Sequence, residues 1–398
     1  MTTKWPRRRV CDIAEHALGK MLDKAKNKGA LKPYLRNLNV RWFEFDLSDV
    51  LEMRFLPEET ARYTAIKGDV LICEGGYPGR AAVWDQDDPI YFQKALHRVR
   101  FHEPERNRWF VYYLLAKDLD GTLKRHFNGA GIQHFTGEAL AKFDVPLPPL
   151  AEQRRIVDVL DDAFESIATA KANAEKNLRN TGALFESYLQ SVFTRRGEAW
   201  SEKRLGDLAT FRNGINFTKS SRGDVVSIVG VKDFQRNFWA PLDSLDSVTT
   251  DGALPGSDML KENDILFVRS NGNLELIGRS LLVGKVSSDV THSGFTIRAR
   301  INDAGVSARY LCHFLKSDAT RRRMIDGGTG TNIKSLNQAT LASLLVPLPS
   351  KDGQVRIAKQ IEAISQETQR LASIYQRKLD ALDALKKSLL HQAFSGQL

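Results

Sequence analysis

The chain has few cysteines and no long apolar run. Among its 398 residues there are only 3 cysteines, at positions 11, 73 and 312. They are far apart and odd in number, so neither a disulfide framework nor a zinc site is supported. No stretch reaches about 18 apolar residues, the length of a membrane-spanning helix. Residues 1–9 are charged but no apolar segment follows, which argues against a secretory signal. We therefore expect a protein of the reducing cytoplasm.

Motifs of catalysis are also missing from the sequence. It contains neither a Gly-x-x-x-x-Gly-Lys-Ser/Thr phosphate loop nor the Asn/Asp-Pro-Pro-aromatic motif of amino-methyltransferases. The 8 histidines show neither zincin spacing nor a deaminase pattern. The acidic pairs at 87–88 and 161–162 are typical of solvated loops and helix ends. We predict no catalytic residue, no metal site and no cofactor bound by this chain.

What the sequence has in excess is positive charge. The net charge is +10, and basic residues cluster at 7–9, 24–28, 124–126 and 321–323. A basic surface attracts polyanions through long-range electrostatics, which favours nucleic acid as a partner. Lysine and arginine are also common on ordinary helix surfaces, so charge alone does not decide the matter.

The chain also repeats itself. Residues 128–193 align without a gap onto 329–394, about two hundred residues later. Paired residues include Pro146/Pro347, Gln153/Gln354, Ile156/Ile357 and Phe193/Phe394, and Trp5 pairs with Trp200 at a slightly smaller spacing. Between these anchors the match is thin. The period is far longer than that of a solenoid, so the repeated unit is a domain plus a connector.

Each half opens with short β-rich runs punctuated by Gly, Asp and Asn, and it ends in a proline-containing segment that leads into a long helical pattern. The fold class we predict is α+β, with two tandem domains at 1–150 and 196–350. Each is followed by a long helix, at 151–195 and 351–398. We expect the two helices to pair as an antiparallel coiled coil with pseudo-twofold symmetry.

The coiled-coil prediction rests on heptads of apolar residues. In the first helix the two core lines are 156, 163, 170, 177, 184 and 160, 167, 174, 181, 188. In the second they are 357, 364, 371, 378, 385 and 361, 368, 375, 382, 389. Asn177 and Lys378 fall on these core lines, where a polar residue commonly fixes register. Two separate helical hairpins or an intermolecular coil remain alternatives.

Several of these segments resemble the specificity (S) subunits of type I restriction-modification systems. The resemblance lies in the Pro-Leu-Pro segments that lead into the long helices, Glu-Gln-Arg-Arg-Ile at 152–156, Gln-Val-Arg-Ile at 354–357, the glycine-rich segment 327–336 and the ending 392–398. Together with the duplication it covers nearly the whole chain. The first half departs from the pattern at 129–135, where Gly-Ala-Gly-Ile-Gln-His-Phe replaces the Thr-Asn-Ile-Lys run.

The resemblance implies a non-catalytic subunit that recognises DNA. Its two target recognition domains would each bind one half of a bipartite, asymmetric double-stranded site, and the helices would act as spacer. It would recruit two adenine methyltransferase subunits, which use S-adenosylmethionine, and restriction subunits, which use ATP and Mg²⁺. A standalone two-domain DNA-binding or architectural protein is the alternative, and an enzyme would need a catalytic cluster that is missing.

Candidate DNA contacts are polar residues in loops beside glycine or aromatic residues, because Lys and Arg bind phosphates and Arg, Lys, Asn and Gln bind base edges. In the first domain they are Arg36, Asn37, Asn39, Arg41, Tyr77, Arg80, Lys124 and Arg125. In the second they are Lys232, Arg236, Asn237, Asn271, Asn273, Arg279, Arg322, Asn332 and Lys334. Each is equally compatible with a solvated surface residue, and 271–273 with a simple turn.

Candidates for docking the methyltransferases are repeated residues at the starts of the two long helices. They are Gln153, Arg155, Gln354 and Arg356. Their repetition suits a surface that is used twice. Helix capping or local pairing is the alternative role.

Overall fold

The chain forms two units. The computed structural model describes residues 5–23, 25–195, 200–218, 220–235, 237–327 and 335–398. Unit 1 comprises Met1–Glu175 and Gln376–Leu398, and unit 2 comprises Lys176–Tyr375. This division falls inside the two long helices. The predicted domain limits at 150, 195 and 350 instead follow the ends of elements, and they stay a prediction.

Unit 1 holds the first set of strands. They are β1 (Arg7–Arg9), β2 (Ala14–Leu18), β3 (Ala30–Leu35), β4 (Leu51–Phe55), β5 (Thr64–Ala65), β6 (Val70–Cys73), β7 (Ala81–Val83), β8 (Ile90–Phe92), β9 (Leu96–Phe101) and β10 (Asp144–Pro146). The helices are α1 (Val10–Ile13), α2 (Thr60–Tyr63), α3 (Arg106–Leu119), α4 (Gly137–Ala141) and the long α5 (Leu150–Thr194), of which the part up to Glu175 belongs to unit 1. Short 3₁₀ helices lie at Pro57–Glu59 and Leu123–His126.

The strands of unit 1 form three sheets. An antiparallel sheet has the order β2-β9-β6-β7, and a mixed sheet has the order β4-β3-β8-β5, in which β3 and β8 are parallel. The third sheet is the pair β1-β10, in which Arg7 lies opposite Pro146. The first strand of the domain therefore lies beside the strand that leads out of it.

Strand β6 separates two hydrophobic cores. All four of its residues are fully buried. Val70 and Ile72 pack into the core that contains α3 and the long helices, whereas Leu71 and Cys73 pack into the core on the other face. Alternate residues of a strand point to opposite faces, so a strand covered on both sides is continuously apolar. This is why residues 70–73 form an uninterrupted apolar run in the sequence.

Unit 2 repeats this plan. Its strands are β11 (Ser201–Arg204), β12 (Ala209–Asn213), β13 (Val225–Val229), β14 (Asp246–Thr249), β15 (Ile265–Val268), β16 (Ser280–Leu282), β17 (Val290–His292), β18 (Thr296–Ile301) and β19 (Leu345–Leu348). The helices are α6 (Leu205–Leu208), α7 (Ala308–Lys316), α8 (Asp318–Asp326), α9 (Gln338–Ser343) and the long α10 (Lys351–Ser395). Short 3₁₀ helices lie at Val231–Asp233, Leu242–Ser244 and Leu274–Leu276.

The sheets of unit 2 correspond to those of unit 1. The antiparallel sheet has the order β12-β18-β15-β16, the mixed sheet has the order β14-β13-β17 with β13 and β17 parallel, and β11 pairs with β19. Strand β15 again lies between two cores, because Ile265 and Phe267 face one and Leu266 and Val268 face the other. The predicted α+β class and tandem arrangement are confirmed.

Segments of the two long helices run antiparallel within unit 1. Lys171 forms an ion pair with Asp383 at 2.6 Å, and Lys386 lies 4.5 Å from the ring centre of Phe164. Residue numbers thus fall along one helix as they rise along the other. In unit 2, Leu189 and Phe193 of α5 share a hydrophobic core with Ala358 and Ile361 of α10. A continuous coiled coil and the pseudo-twofold relation stay predictions.

The predicted heptads hold at the start of each helix, and one of the two core lines in each helix fails further along. Ile156, Leu160 and Ile167 are buried as expected. Leu184 and Leu385, however, are 58% and 46% exposed, so their placement on a core line was wrong. Lys378, placed on the same line of α10, is exposed as well. An α-helix has 3.6 residues per turn and drifts from a strict seven-residue repeat, which rotates one line of the heptad toward solvent.

No helix in the part of the chain that the structure describes is long and apolar enough to cross a membrane.

Candidate nucleic-acid interface

Two loops of unit 1 are joined by predicted DNA-contact residues. Asn37, in the loop after β3, donates a hydrogen bond from Nδ2 to the carbonyl of Gly75 at 3.1 Å. Arg80 donates to the carbonyl of Asn37 at 3.0 Å, and its guanidinium lies 4.7 Å from the ring centre of Tyr77. The 36–46 loop and the 74–80 loop are therefore held together, with Tyr77 as an exposed ring on top.

Glycine permits this junction. Gly76 has a φ of +76°, a conformation that favours glycine, and a Cβ there would lie 2.2 Å from Nδ2 of Asn37. The result is a cation beneath an aromatic ring that is 60% exposed. Rings and guanidinium groups of this kind stack on bases and contact phosphates. The pair of Tyr77 and Arg80 is accordingly the best-formed contact group in unit 1.

Three other predicted residues hold the 36–46 loop in shape. Arg36 forms an ion pair with Asp49 at 2.6 Å, and Arg41 lies 3.4 Å from a carboxylate oxygen of Asp46. Asn39 is 2% exposed, and its amide donates to the carbonyls of Asp46 and Asp49. The prediction of Asn39 as a DNA contact is therefore wrong, because the side chain is buried and its hydrogen bonds are used within the loop.

Lys124 and Arg125 extend the same group. Both are exposed on the 3₁₀ helix Leu123–His126. Leu123 packs directly against the 74–80 loop, because a Cβ added to Gly79 would lie 2.5 Å from its side chain. The structure thus brings these two predicted cations next to the loop that carries Tyr77.

In unit 2, the segment 271–279 is shaped by its own side chains. Oδ1 of Asn271 accepts a hydrogen bond from the backbone N–H of Asn273 at 2.8 Å. Oδ1 of Asn273 in turn accepts from the N–H of Glu275 at 2.9 Å, which caps the 3₁₀ helix Leu274–Leu276. Such side-chain to backbone bonds build turns. The turn interpretation of 271–273 is confirmed, and a DNA role stays a prediction.

Arg279 connects this segment to the 231–241 region. It donates to the carbonyl of Gln235 at 2.6 Å and to that of Glu275 at 3.0 Å. Asn237 donates to the carbonyl of Asp233 at 3.1 Å, and its own carbonyl accepts from Lys316. The segments that carry Asn237, Asn273 and Arg279 are therefore joined.

The remaining predicted residues of unit 2 are dispersed. Lys232 forms an exposed ion pair with Asp246 at the start of β14. Arg322 is exposed on α8. The predictions for Arg236, Asn332 and Lys334 lie outside the described residues.

Two cations near the Arg279 segment were missed from sequence. Lys316, at the end of α7, donates to the carbonyls of Asn237 and Ser280 at 2.8 and 2.9 Å, and burial lowers its pKa. Arg321 donates to the carbonyls of Glu275 and Ile277. The signal was present in the basic run 321–323, but helical geometry turns residue 321, rather than 322, toward this segment.

The starts of the long helices contradict two docking predictions. Gln153 and Gln354 are 1% and 2% exposed, so they cannot form a docking surface. Gln153 donates to the carbonyl of Pro148, and Gln354 donates to that of Pro349. These glutamines fasten each helix to the proline segment before it, which is why they are repeated.

The two arginines of the docking prediction are on the surface. Arg155 is exposed and pairs with Glu152 at 2.9 Å. Arg356 is exposed on α10 and lines a shallow groove with Val355 and Lys359. Their role in docking stays a prediction. Within the residues described, no group of His, Cys, Asp and Glu side chains is arranged to hold a metal ion.

The comparisons with known proteins bear on this two-unit arrangement. The family model described as "Type I restriction modification DNA specificity domain" matches residues 3–178 and again residues 197–376. The chain belongs to the family of type I restriction-modification specificity subunits. The matched model is described as a DNA specificity domain, which supports a role in DNA sequence recognition, and the curated relatives are named as specificity subunits of type I restriction enzymes.

Curated relatives agree with this assignment. The specificity subunit of the type I restriction enzyme StySPI from Salmonella potsdam is 24% identical, over 68% of this chain and 61% of that protein. The EcoBI specificity subunit of Escherichia coli is 21% identical, over 80% of this chain and 71% of the relative. The chain thus spans about three fifths of the length of the Salmonella subunit.

Solved structures share the fold. The HsdS subunit from Thermoanaerobacter tengcongensis matches with a TM-score of 0.65 at 18% identity, covering 100% of this chain and 99% of that one. A chain from a study of complex assembly and conformational transition of the type I R-M system matches with a TM-score of 0.75, also at 18% identity, covering 99% and 98%.

Proposed function

We propose that this specificity subunit binds a bipartite, asymmetric DNA site and holds two adenine methyltransferase subunits beside it. One recognition domain would bind each half-site, and the long helices would separate the two domains. Tyr77 and Arg80, with Lys124 and Arg125 beside them, are our main DNA contacts in the first domain. Asn237, Asn273 and Arg279 form the corresponding group in the second.

A single observation carries this proposal. The contacts between each recognition domain and the proline segment that leads into its long helix are the same in both halves, whereas the exposed loop residues differ. Trp109 donates to the carbonyl of Pro146 at 2.8 Å, and Tyr310 donates to that of Pro347 at 2.6 Å. A protein that uses one frame twice with two different surfaces is suited to a site with two different halves.

The chemistry would belong to partner subunits. The methyltransferases would bring S-adenosylmethionine, and restriction subunits, where present, would bring ATP and Mg²⁺. Two copies of one partner need the same surface twice, as in any symmetric assembly. The specificity subunit would therefore offer one equivalent surface to each methyltransferase.

For that surface we retain Arg155 and Arg356 and add Leu184 and Leu385. The two leucines occupy matching positions of the duplication and are 58% and 46% exposed. Apolar side chains exposed at matching positions suit burial against a partner, and rim arginines set its orientation. The two buried glutamines are removed from the set.

The test is purification of the full-length chain from its native cells, followed by DNA methylation assays. We expect two methyltransferase copies per chain, and adenine methylation of one bipartite sequence only when chain, methyltransferase and S-adenosylmethionine are combined. The Leu184→Glu/Leu385→Glu double variant should lose the methyltransferase while still binding DNA. A chain that binds DNA as a standalone protein and recovers no methyltransferase would overturn the proposal.

A further inference from the structure

A carboxylate on α5 binds two side chains of α3 in unit 1. Asp161 accepts a hydrogen bond from the guanidinium of Arg108 and another from the hydroxyl of Tyr112, both at 2.5 Å. Burial, together with the hydrogen bond to Asp161, raises the pKa of Tyr112, so the hydroxyl keeps its proton and remains a donor. We call these three residues the unit 1 joint, because they tie the recognition domain to the long helix.

Unit 2 has the same arrangement with different side chains. Glu362 of α10 lies 3.4 Å from a guanidinium nitrogen of Arg309 and 3.8 Å from Nε2 of His313. Nε2 of His313 and Oε1 of Glu362 are both buried without a hydrogen-bond partner. The unit 2 joint, consisting of Arg309, His313 and Glu362, is therefore looser than its counterpart.

The two joints are equivalent by sequence. The gap-free alignment of 128–193 with 329–394 pairs Asp161 with Glu362. The same spacing carries Arg108 onto Arg309 and Tyr112 onto His313. Both joints contain a carboxylate and an arginine, whereas the third side chain changes from the phenol of Tyr112 to the imidazole of His313.

Each joint is capped by a phenylalanine from a loop that carries predicted DNA contacts. The ring of Phe43, in the 36–46 loop, lies 4.5 Å from the ring of Tyr112 and 6.3 Å from that of Phe164 on α5. The ring of Phe238, in the 231–241 region, stacks on His313 at 4.3 Å. The spacing that pairs Trp5 with Trp200 also pairs Phe43 with Phe238.

The backbone at Phe43 is unusual. Its φ is +68°, one of two positive values among the described residues other than glycine. A bulky residue in this region is an outlier that the surrounding structure must hold in place. Its N–H donates to the carbonyl of Ala81 at 3.2 Å, one residue after Arg80. Phe43 thus contacts the unit 1 joint through its ring and the strand after the 74–80 loop through its backbone.

We infer that Phe43 and Phe238 are positioning residues through which each long helix sets the place of its own unit's DNA-contact loop. Phe43 packs on the joint at one side, and Asn37 of the same loop holds Gly75 and Arg80 at the other. Loss of the ring frees the loop without removing any group that would touch DNA. The inference rests on the proposed function, since it assigns the loops to DNA.

The test uses the full-length chain, together with its methyltransferase subunits where these co-purify. Duplex DNA with randomised positions is selected by the wild type, Phe43→Leu and Phe238→Leu, and the bound molecules are sequenced. Leucine keeps the apolar bulk but removes the ring. We expect Phe43→Leu to lose about tenfold or more in base discrimination at one half-site, the range that one or two base contacts supply, and to keep the other half-site unchanged. Phe238→Leu should give the reciprocal result.

Each variant is the matched control of the other, and melting curves check that both are folded. Affinity for DNA of unrelated sequence should stay within about twofold of the wild type, because phosphate contacts do not depend on the rings of Phe43 and Phe238. Asp161→Asn should weaken the same half-site as Phe43→Leu.

Three outcomes would count against the inference. Unchanged discrimination at both half-sites shows that the rings do not position the loops, and equal loss at both half-sites shows that they act on general stability. A wild-type chain that selects no sequence at all overturns the proposed function itself, and the inference with it. The first two results leave the proposed function standing.

Discussion

Arg100 donates two hydrogen bonds to the carboxylate of Asp69, from Nε at 2.8 Å and from a terminal guanidinium nitrogen at 2.7 Å. Arg300 and Asp264 repeat the pair in unit 2, also at 2.8 and 2.7 Å. Both carboxylates are almost fully buried. The same ion pair is therefore present in both halves, and its carboxylate also accepts a backbone N–H of the turn before β6 or β15, from Ile66 in unit 1 and from Lys261 in unit 2.

Replacing Asp69 by Asn should destabilise unit 1 and leave unit 2 unaffected. The change leaves Arg100 without its counter-charge. A fully buried pair costs about 3–5 kcal/mol to break, but the Arg100 side chain is 35% exposed, so we expect about 2 kcal/mol in local unfolding free energy. Hydrogen exchange of peptides from each unit measures this. Asp87→Asn, in the exposed pair with Lys67, is the control and should show no change. Equal loss in both units would contradict the prediction.

The buried glutamines at the helix starts should differ in their contribution. Gln354 accepts from the N–H of Ser307 at 2.8 Å and donates to the carbonyls of Gly305 and Pro349. Gln153 donates to the carbonyl of Pro148, while its Oε1 is buried without a partner. We therefore expect Gln354→Ala to cost about 2 kcal/mol and Gln153→Ala about 1 kcal/mol or less. Hydrogen exchange at the starts of α10 and α5 would show the order, and a larger loss for Gln153→Ala would refute it.

Stability should fall as the solution is acidified below about pH 6.5. Burial lowers the pKa of His97 to about 4, of His292 to about 3 and of His313 to about 4. Between 6.5 and these values the unfolded chain binds more protons than the folded chain, so protonation favours unfolding. Each histidine contributes a slope of up to about 1.4 kcal/mol per pH unit. Denaturation between pH 7.5 and 5 would reveal the slope, His313→Gln should reduce it for unit 2 alone, and a flat profile would rule it out.

Two cations of unit 1 should affect DNA binding differently. Lys124 is exposed on a short helix, as expected for a phosphate contact. Lys124→Ala should weaken binding to all sequences and reduce the slope of log K against log salt by about 1. Arg80, which lies beneath Tyr77, should instead change base preference when replaced by Ala. Anisotropy titrations at several salt concentrations separate the two, and identical effects would contradict the assignment.

The frame of the fold was accessible from sequence because it is repetitive and periodic. The long helices, predicted at 151–195 and 351–398, are observed at Leu150–Thr194 and Lys351–Ser395. Strands buried on both faces, such as Val70–Cys73 and Ile265–Val268, appear as uninterrupted apolar runs, which sequence patterns reveal directly.

The errors share one physical cause, since exposure of a polar residue depends on what packs over it. Asn39 and Gln153 have the residue types of DNA or partner contacts, yet each is covered and bonds to nearby carbonyls. Phe43 gave no signal, because its role depends on Tyr112 and Phe164, which are remote in the chain. Residue type indicates which bonds can form, and only the fold decides with which atoms.

The pairing of β1 with β10, and of β11 with β19, has a consequence for how such proteins diversify. Each recognition domain leaves the frame and rejoins it at two neighbouring backbones, Arg7 opposite Pro146 and Ser201 opposite Leu348. A segment whose two ends lie side by side in one strand pair can be exchanged for another of different length without shifting the helix that follows it. Recombination within one of these strand pairs would give a chimeric protein that recognises one new half-site and keeps its spacer helices.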